Sequence, residues 1–369
     1  MPIVPVKTRS GLVHFNCKIS TPTTTDANAL DPSLPTILFM HGPYLPQIAF
    51  QSQFSDPLLR KFNLVTFDFR GHGETTGAKI PKGYAQEDVA DDVIRLMNAL
   101  KLPACHIMAV SLGSVIALEI ALAYPERCLS LLLVSPLGFE ETEELKTAHE
   151  EIHKYWKSGY TDEGEMIEDV LKDAFYGCMQ MAFSGQQSEM SDACLAIAFV
   201  YAEKQWNPRG FDQFQYCTLD LFNNRKGFSI SQLAQIKCPI RMFRGEADIA
   251  HTPEFTENFA ENMRKAGCDV DLTSVPNAPH LVSILYPHVT NPVLHSFVME
   301  QSMSAIPDPP MPVFSPWTPL LRDAGWIPEG EDEDEDGLVM HHQGFSGTIQ
   351  TAIDTIQGGQ RVSFDHACR

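Results

Sequence analysis

The sequence predicts an α/β protein: a mostly parallel sheet flanked by helices, carrying a helical insertion and an acidic tail. Three observations carry this. Short apolar runs alternate with amphipathic segments from Ile37 to Val134, one apolar run passes directly into a helix at Ser111, and residues 140–237 read as helix between two groups of strands. Strands of a parallel sheet are covered on both faces, so they read as continuous apolar runs and not as alternation.

Taken in order, Ile3 to Ser20 form two extended runs around Arg9-Ser10-Gly11, which predicts an amino-terminal hairpin. Thr21 to Pro35, rich in Thr, Pro and Asp, is a loop. Strands are expected at Ile37–Met40, Leu64–Phe69, His106–Val110 and Leu129–Val134. Between the second and third, Val89, Val93, Leu96, Met97 and Leu100 fall on one helical stripe. Glu87, Asp88, Asp91 and Asp92 lie near its amino end, where the helix dipole favours acids. Strands resume at Cys238–Phe243 and Asp269–Val275. The expected units are therefore a core of residues 1–139 and 238–302, a helical cap over 140–237, and a Pro-rich and acidic tail over 303–369. Low apolar content and the run Glu329 to Asp336 argue for partial disorder in that tail, while Trp317, Leu320, Leu321 and Trp326 offer a short piece able to dock on the body.

Composition narrows the partners. The 369 residues hold 47 Asp plus Glu against 27 Lys plus Arg, a net charge of −20. Phosphate backbones repel such a body, so nucleic acid is not an expected partner. The surplus acid concentrates in the insertion and the tail, so it marks the periphery, and any protein partner of the acidic tail is left open. Nine cysteines without ligand-like spacing read as small hydrophobes, not as a zinc site or disulfide framework. The first residues lack a signal-peptide pattern, and no apolar run reaches the 18 or so residues of a membrane span. A reducing, cytoplasmic location with no cofactor is the resulting expectation.

The strongest local signal is Met108-Ala-Val-Ser111-Leu-Gly-Ser. A serine at a strand-to-helix junction, between small residues Ala109 and Gly113, sits on a sharp turn that lifts its hydroxyl clear of the sheet edge. Alone, such a serine is usually a helix N-cap. The turn matches the nucleophile elbow G-x-S-x-G with alanine in the first glycine's place, and here the chain resembles the α/β-hydrolase superfamily. His41-Gly42 after one strand and Asp68-Phe-Arg-Gly-His-Gly73 after the next also resemble that family's landmarks, in order.

A serine hydroxyl needs a histidine to take its proton and a carboxylate to hold that histidine. In this fold the order is Ser, acid, His. Arg244-Gly-Glu-Ala-Asp248 and Pro276-Asn-Ala-Pro-His280 each follow a strand and resemble the acid and histidine segments. The resemblance thus implies Ser111 as nucleophile, His280 as general base and acid, and Asp248 as orienting carboxylate, with Glu246 a nearby rival. For the oxyanion hole it implies the Leu112 NH plus a donor from the loop after Gly42. Pro43 has no NH, so the second donor must be a neighbour such as the NH or the hydroxyl of Tyr44.

His149-Glu-Glu-Ile-His153 matches the zinc motif H-E-x-x-H, but Lys146, Glu150, Glu151, Lys154 and Lys157 around it read as a solvated helix, and no metal is expected. The insertion is rich in aromatics, among them Trp156, Phe175, Phe199, Trp206 and Phe214, more than surface helices require. Some should wall an apolar pocket. The expected function is a serine hydrolase of a small or medium apolar ester, lactone or thioester. Acyl transfer, C–C bond hydrolysis on the same triad, or a weakly catalytic ligand-binding protein remain alternatives.

Overall fold

A computed structural model describes residues 3–138, 140–302, 306 and 308–327. Its strands are β1 (Ile3–Thr8), β2 (Gly11–Ser20), β3 (Thr36–Met40), β4 (Asn63–Phe67), β5 (Thr76–Gly77), β6 (Cys105–Val110), β7 (Cys128–Val134), β8 (Ile240–Gly245) and β9 (Val270–Val275). They form one sheet in the order β1-β2-β4-β3-β6-β7-β8-β9, with β5 on β2. From β4 to β9 every pairing is parallel; the hairpin β1–β2 adds the antiparallel edge. The apolar runs behave as expected: every residue of β3, β4 and β6 is buried. The short strand β5 was not legible, because two residues paired through Thr76 and Gly77 leave no periodicity.

Helix α1 (Gln51–Phe54) lies in the loop before β4, α2 (Gln86–Ala99) precedes β6, and α3 (Leu112–Ala123) follows it. The expected stripe of α2 is buried at Val89, Val93, Leu96 and Met97. The acids of its first turns divide, which corrects the dipole reading. Glu87 and Asp88 occupy the first turn, and Asp88 accepts the Ala85 NH at 3.2 Å. Asp92 is instead buried, accepting from Arg70 Nη1 at 3.0 Å and from the Tyr84 hydroxyl at 2.8 Å. α3 packs on α2, β6 and β7 and is buried almost all round, which explains its uniformly apolar sequence.

Between β7 and β8 the chain makes α4 (Glu143–Ser158), α5 (Glu168–Phe183), α6 (Glu189–Gln205), α7 (Phe211–Phe214), α8 (Asp220–Asn223) and α9 (Ile230–Leu233). Thr142 and Ser188 cap α4 and α6, each side chain accepting a backbone NH of the first turn. Trp156, Phe199, Trp206 and Phe214 form their shared core, with Trp206 and Phe214 stacked at 4.5 Å. The two ends of this excursion meet in a buried ion pair, Arg225 Nη1 to Glu141 Oε2 at 2.7 Å, with side chains 1% and 0% exposed.

The solvated reading of α4 is wrong on one face. Glu150 and Glu151 are exposed, but His149 and His153 are buried, on Phe222 at 4.0 Å and Phe214 at 4.7 Å. Both turn towards the shared aromatic core because i and i+4 lie on one helix face.

After β8 come α10 (Pro253–Lys265), α11 (Val282–Leu285), α12 (Pro287–Glu300) and α13 (Thr318–Asp323). The tail's aromatic piece docks: Trp317 packs edge-on against Phe54 at 5.1 Å, and Arg60 Nη1 donates to the Phe314 carbonyl at 2.7 Å. The acidic run Glu329 to Asp336 and the pair His341-His342 lie outside the described residues. Among the described residues no helix is long and apolar enough to cross a membrane.

Candidate active site

Ser111 stands where β6 becomes α3, with φ 53° and ψ −122°. An L-residue with positive φ costs of order 1–3 kcal/mol, a strain that the neighbours must hold in place. They do so from both sides: the Ser111 NH donates to the Val134 carbonyl at 3.0 Å, and the Ser111 carbonyl accepts the Ser114 hydroxyl at 2.5 Å. Gly113 is required here, since a Cβ would come within 2.6 Å of the Met40 carbonyl oxygen and 2.7 Å of that of His41. Gly42 keeps the opposite wall open, its hypothetical Cβ lying 3.2 Å from Ser111 Cβ.

The acid and histidine loops leave β8 and β9 side by side. His280 Nδ1 lies 2.7 Å from Asp248 Oδ2, and Asp248 Oδ1 accepts the backbone NH groups of Ala250 and His251, each at 2.9 Å. Burial pushes the Asp248 carboxyl up, but the His280 charge, its hydrogen bond and the His251 side outweigh this and hold it below the ordinary carboxylate value. Glu246 is exposed, so of the two candidate acids the fold brings Asp248 to the imidazole. The His280 carbonyl is held by the Ser135 hydroxyl at 2.5 Å, and the next NH, of Leu281, donates to Ala182 at the end of α5.

Ser111 and His280 border one cavity with an empty volume of about 680 Å³, counted out to its mouth. Its wall is mostly apolar and includes Tyr44, Leu45, Met179, Met181 and Phe222. Met179, Met181 and Phe222 come from the insertion, which therefore closes the space above Ser111. Most insertion aromatics named from sequence form that region's own core, and Tyr155 is 47% exposed. Phe222, which faces the cavity, was passed over because a single aromatic in a short helix carries no pattern.

The loop after β3 is held by a histidine that sequence reading treated only as a landmark. His41 Nε2 accepts the Phe69 NH at 2.9 Å and Nδ1 meets the Gly42 carbonyl at 2.5 Å, so a neutral imidazole bridges the ends of β3 and β4. Burial, with His72 adding to it, keeps its pKa well below the ordinary value. Beyond Pro43, Tyr44 has φ 66° and borders the cavity. Its hydroxyl lies 3.3 Å from His149 Nδ1. Among the described residues neither the Leu112 NH nor the Tyr44 NH has a hydrogen-bond partner.

His251 was also missed, being an isolated loop histidine in sequence. Its ring lies 5.0 Å from that of His280, and its Nε2 is 3.3 Å from Glu141 Oε1. Burial would raise the Glu141 carboxyl, yet the His251 contact and the Arg225 charge hold it at about 2. Asp248, His251 and His280 place ligand-type atoms within 4.8 Å of one another, but two of them are already engaged with each other.

A strained serine at a strand–helix turn, facing a cavity beside a carboxylate-held histidine, defines the α/β-hydrolase class of architecture. The chain belongs to that family: residues 35–237 match the family model described as the alpha/beta hydrolase fold. A protein named as carbamate hydrolase RutD in Pantoea ananatis is 35% identical over 94 residues, covering 26% of this chain and 31% of that protein. The pimeloyl-[acyl-carrier protein] methyl ester esterase of Nitrosospira multiformis is 25% identical over 235 residues, covering 62% and 82%. This chain thus spans about a third of the length of the first of these curated relatives. Among solved structures, a thermophilic esterase from Thermogutta terrifontis superposes with TM-score 0.60 at 18% identity, covering 81% of this chain and 98% of that one. The enol-lactonase of Burkholderia xenovorans gives TM-score 0.60 at 17% identity, covering 80% and 99%. At such identities these structures speak to the fold.

Proposed function

We propose that the protein is a serine hydrolase acting on small or medium, largely apolar esters, lactones or thioesters. The observation that carries the reading is the placement of Ser111, in its strained turn, on the same cavity as a His280 whose far nitrogen is held by Asp248. A relative named as a methyl ester esterase and the mostly apolar wall support it. Ser111 Oγ attacks the carbonyl carbon while His280 Nε2 takes its proton; Asp248 keeps the remaining hydrogen on Nδ1 and stabilises the imidazolium. The negative oxygen of the tetrahedral intermediate accepts from the Leu112 and Tyr44 NH groups, both without a protein partner among the described residues. On collapse the His280 Nε2–H protonates the leaving oxygen or sulfur. Water, deprotonated by the same nitrogen, then cleaves the acyl-serine bond and restores Ser111. The helices between β7 and β8 act as a cap that keeps this space dry.

The reading is tested by turnover of short-chain nitrophenyl esters. Ser111→Ala and His280→Ala are each expected to lose on the order of 10⁴ to 10⁶ in kcat. A Ser111→Ala enzyme with turnover near that of the wild type refutes the assignment.

A further inference from the structure

His149 faces the cavity and takes no part in the mechanism above. Its setting is specific. The imidazole is stacked on Phe222 at 4.0 Å and 19° and lies nearly parallel to Tyr44 at 6.3 Å and 21°, so its plane is fixed. Nδ1 is engaged by the Tyr44 hydroxyl. The other nitrogen, Nε2, has no protein partner among the described residues.

The remaining polar groups of the cavity wall are accounted for. Ser111 and His280 belong to the proposed chemistry, and the Tyr44 hydroxyl is occupied by His149. Both ring nitrogens of His251 and the hydroxyl of Ser283 are sealed from solvent. His149 Nε2 is not among these sealed atoms, which leaves it, beside the weakly polar Cys178 thiol, as an unassigned polar side-chain atom among the described residues of a mostly apolar wall. Burial, reinforced by the charges of His251, Arg225 and His280 against that of Glu141, brings its pKa to about 4, so the ring is neutral near pH 7. A neutral imidazole carries one hydrogen, and its position follows from the group on the other nitrogen.

We propose that His149 is a specificity-determining residue: Tyr44 donates to Nδ1, and the Nε2–H donates to a second hydrogen-bond acceptor on the substrate, a ketone, ether or amide oxygen outside the scissile bond. The preferred substrates are then oxygen-bearing esters or lactones, not simple alkyl esters. This rests on the serine hydrolase reading. A purely apolar ligand would leave the Nε2–H buried and unpaired, and that penalty generates the preference. The cap supplies this donor, whereas the core supplies the reacting groups.

The test compares phenyl hexanoate with phenyl 4-oxohexanoate, phenyl 5-oxohexanoate and 3-oxobutyl hexanoate, with butyl hexanoate as the alkyl reference for the last. Each rate is divided by that of the hydroxide-catalysed reaction. At least one keto ester is expected to show kcat/KM about 10-fold above its alkyl partner, as one net hydrogen bond supplies. His149→Phe should bring that ratio to about one, and His149→Gln, which keeps an N–H, should restore part of it. The inference is overturned by a flat panel in the wild type, by a preference that survives in His149→Phe, or by an equal loss on every ester. Labelling of each protein by a fluorophosphonate separates the failures. An unlabelled wild type sinks the hydrolase reading itself; a labelled wild type with a flat panel sinks only the role of His149.

Discussion

Exchanging Asp248 for asparagine tests the proposed triad at one atom. Asp248 Oδ1 accepts two backbone NH groups, from Ala250 and His251, each at 2.9 Å, and Oδ2 faces His280 Nδ1 at 2.7 Å. Asparagine offers one oxygen and one NH₂. Keeping the oxygen on the two NH groups turns the NH₂ towards Nδ1, which must then accept. The ring hydrogen moves to Nε2, and that nitrogen can no longer take the Ser111 proton. Turning the amide over would set the NH₂ against two buried donors, so the first arrangement wins. The same exchange in a serine protease triad costs about 10⁴ in kcat, equivalent to about 5.5 kcal/mol of transition-state stabilisation. Stopped-flow or steady-state hydrolysis of a nitrophenyl ester at pH 8 reads the loss directly. Glu246→Gln serves as the control: that side chain is exposed, and its kcat should stay within about two-fold of the wild type. An Asp248→Asn enzyme within ten-fold of the wild type, or a large loss in Glu246→Gln, refutes the reasoning.

Other consequences are open to measurement. Gly113→Ala forces a Cβ against the Met40 and His41 carbonyl oxygens, so thermal unfolding should report a loss of about 1–3 kcal/mol. Removing one member of the buried Glu141–Arg225 pair leaves an uncompensated charge, so Arg225→Met should cost about 3–5 kcal/mol by urea titration, while the double variant with Glu141→Leu recovers most of it. The folded-state pKa of Glu141 is depressed to about 2, so its contribution is full above the ordinary carboxylate value and is lost as pH falls through about 2. The acid-induced decline of stability should therefore be shallower in Glu141→Gln. Trp317→Ala removes a 5%-exposed indole from Phe54 and should destabilise by about 3–5 kcal/mol, with Ser111 chemistry unaffected at 25 °C.

What the sequence revealed and what it withheld divide by range. Strands β3, β4, β6 and β7 announce themselves as apolar runs because burial on both faces is a local demand on nearly every residue. That Ser111, Asp248 and His280 come together could be anticipated because each follows a strand, and the parallel order of β6, β8 and β9 brings strand ends to one edge. Asp92 was misread since its partner Arg70 lies beyond the helix, and an acid near a helix start looks alike whether it serves the dipole or a buried cation. The histidines of α4 were misread because charged neighbours at Glu150, Glu151 and Lys154 describe one face, while the packing of the other is decided by Phe214 and Phe222, far along the chain. Glu141, Arg225 and His251 could not be connected at all: two frame the insertion, the third sits in the acid loop, and only the fold makes them neighbours.

Peptide mapping of the protein after reaction with a fluorophosphonate bears most directly on the central claim, that Ser111 is an activated nucleophile. A single phosphonyl adduct is expected on the Ser111-containing peptide, abolished in Ser111→Ala and slowed by orders of magnitude in His280→Ala. Folded wild-type protein that stays unmodified, or an adduct on any other serine, contradicts it.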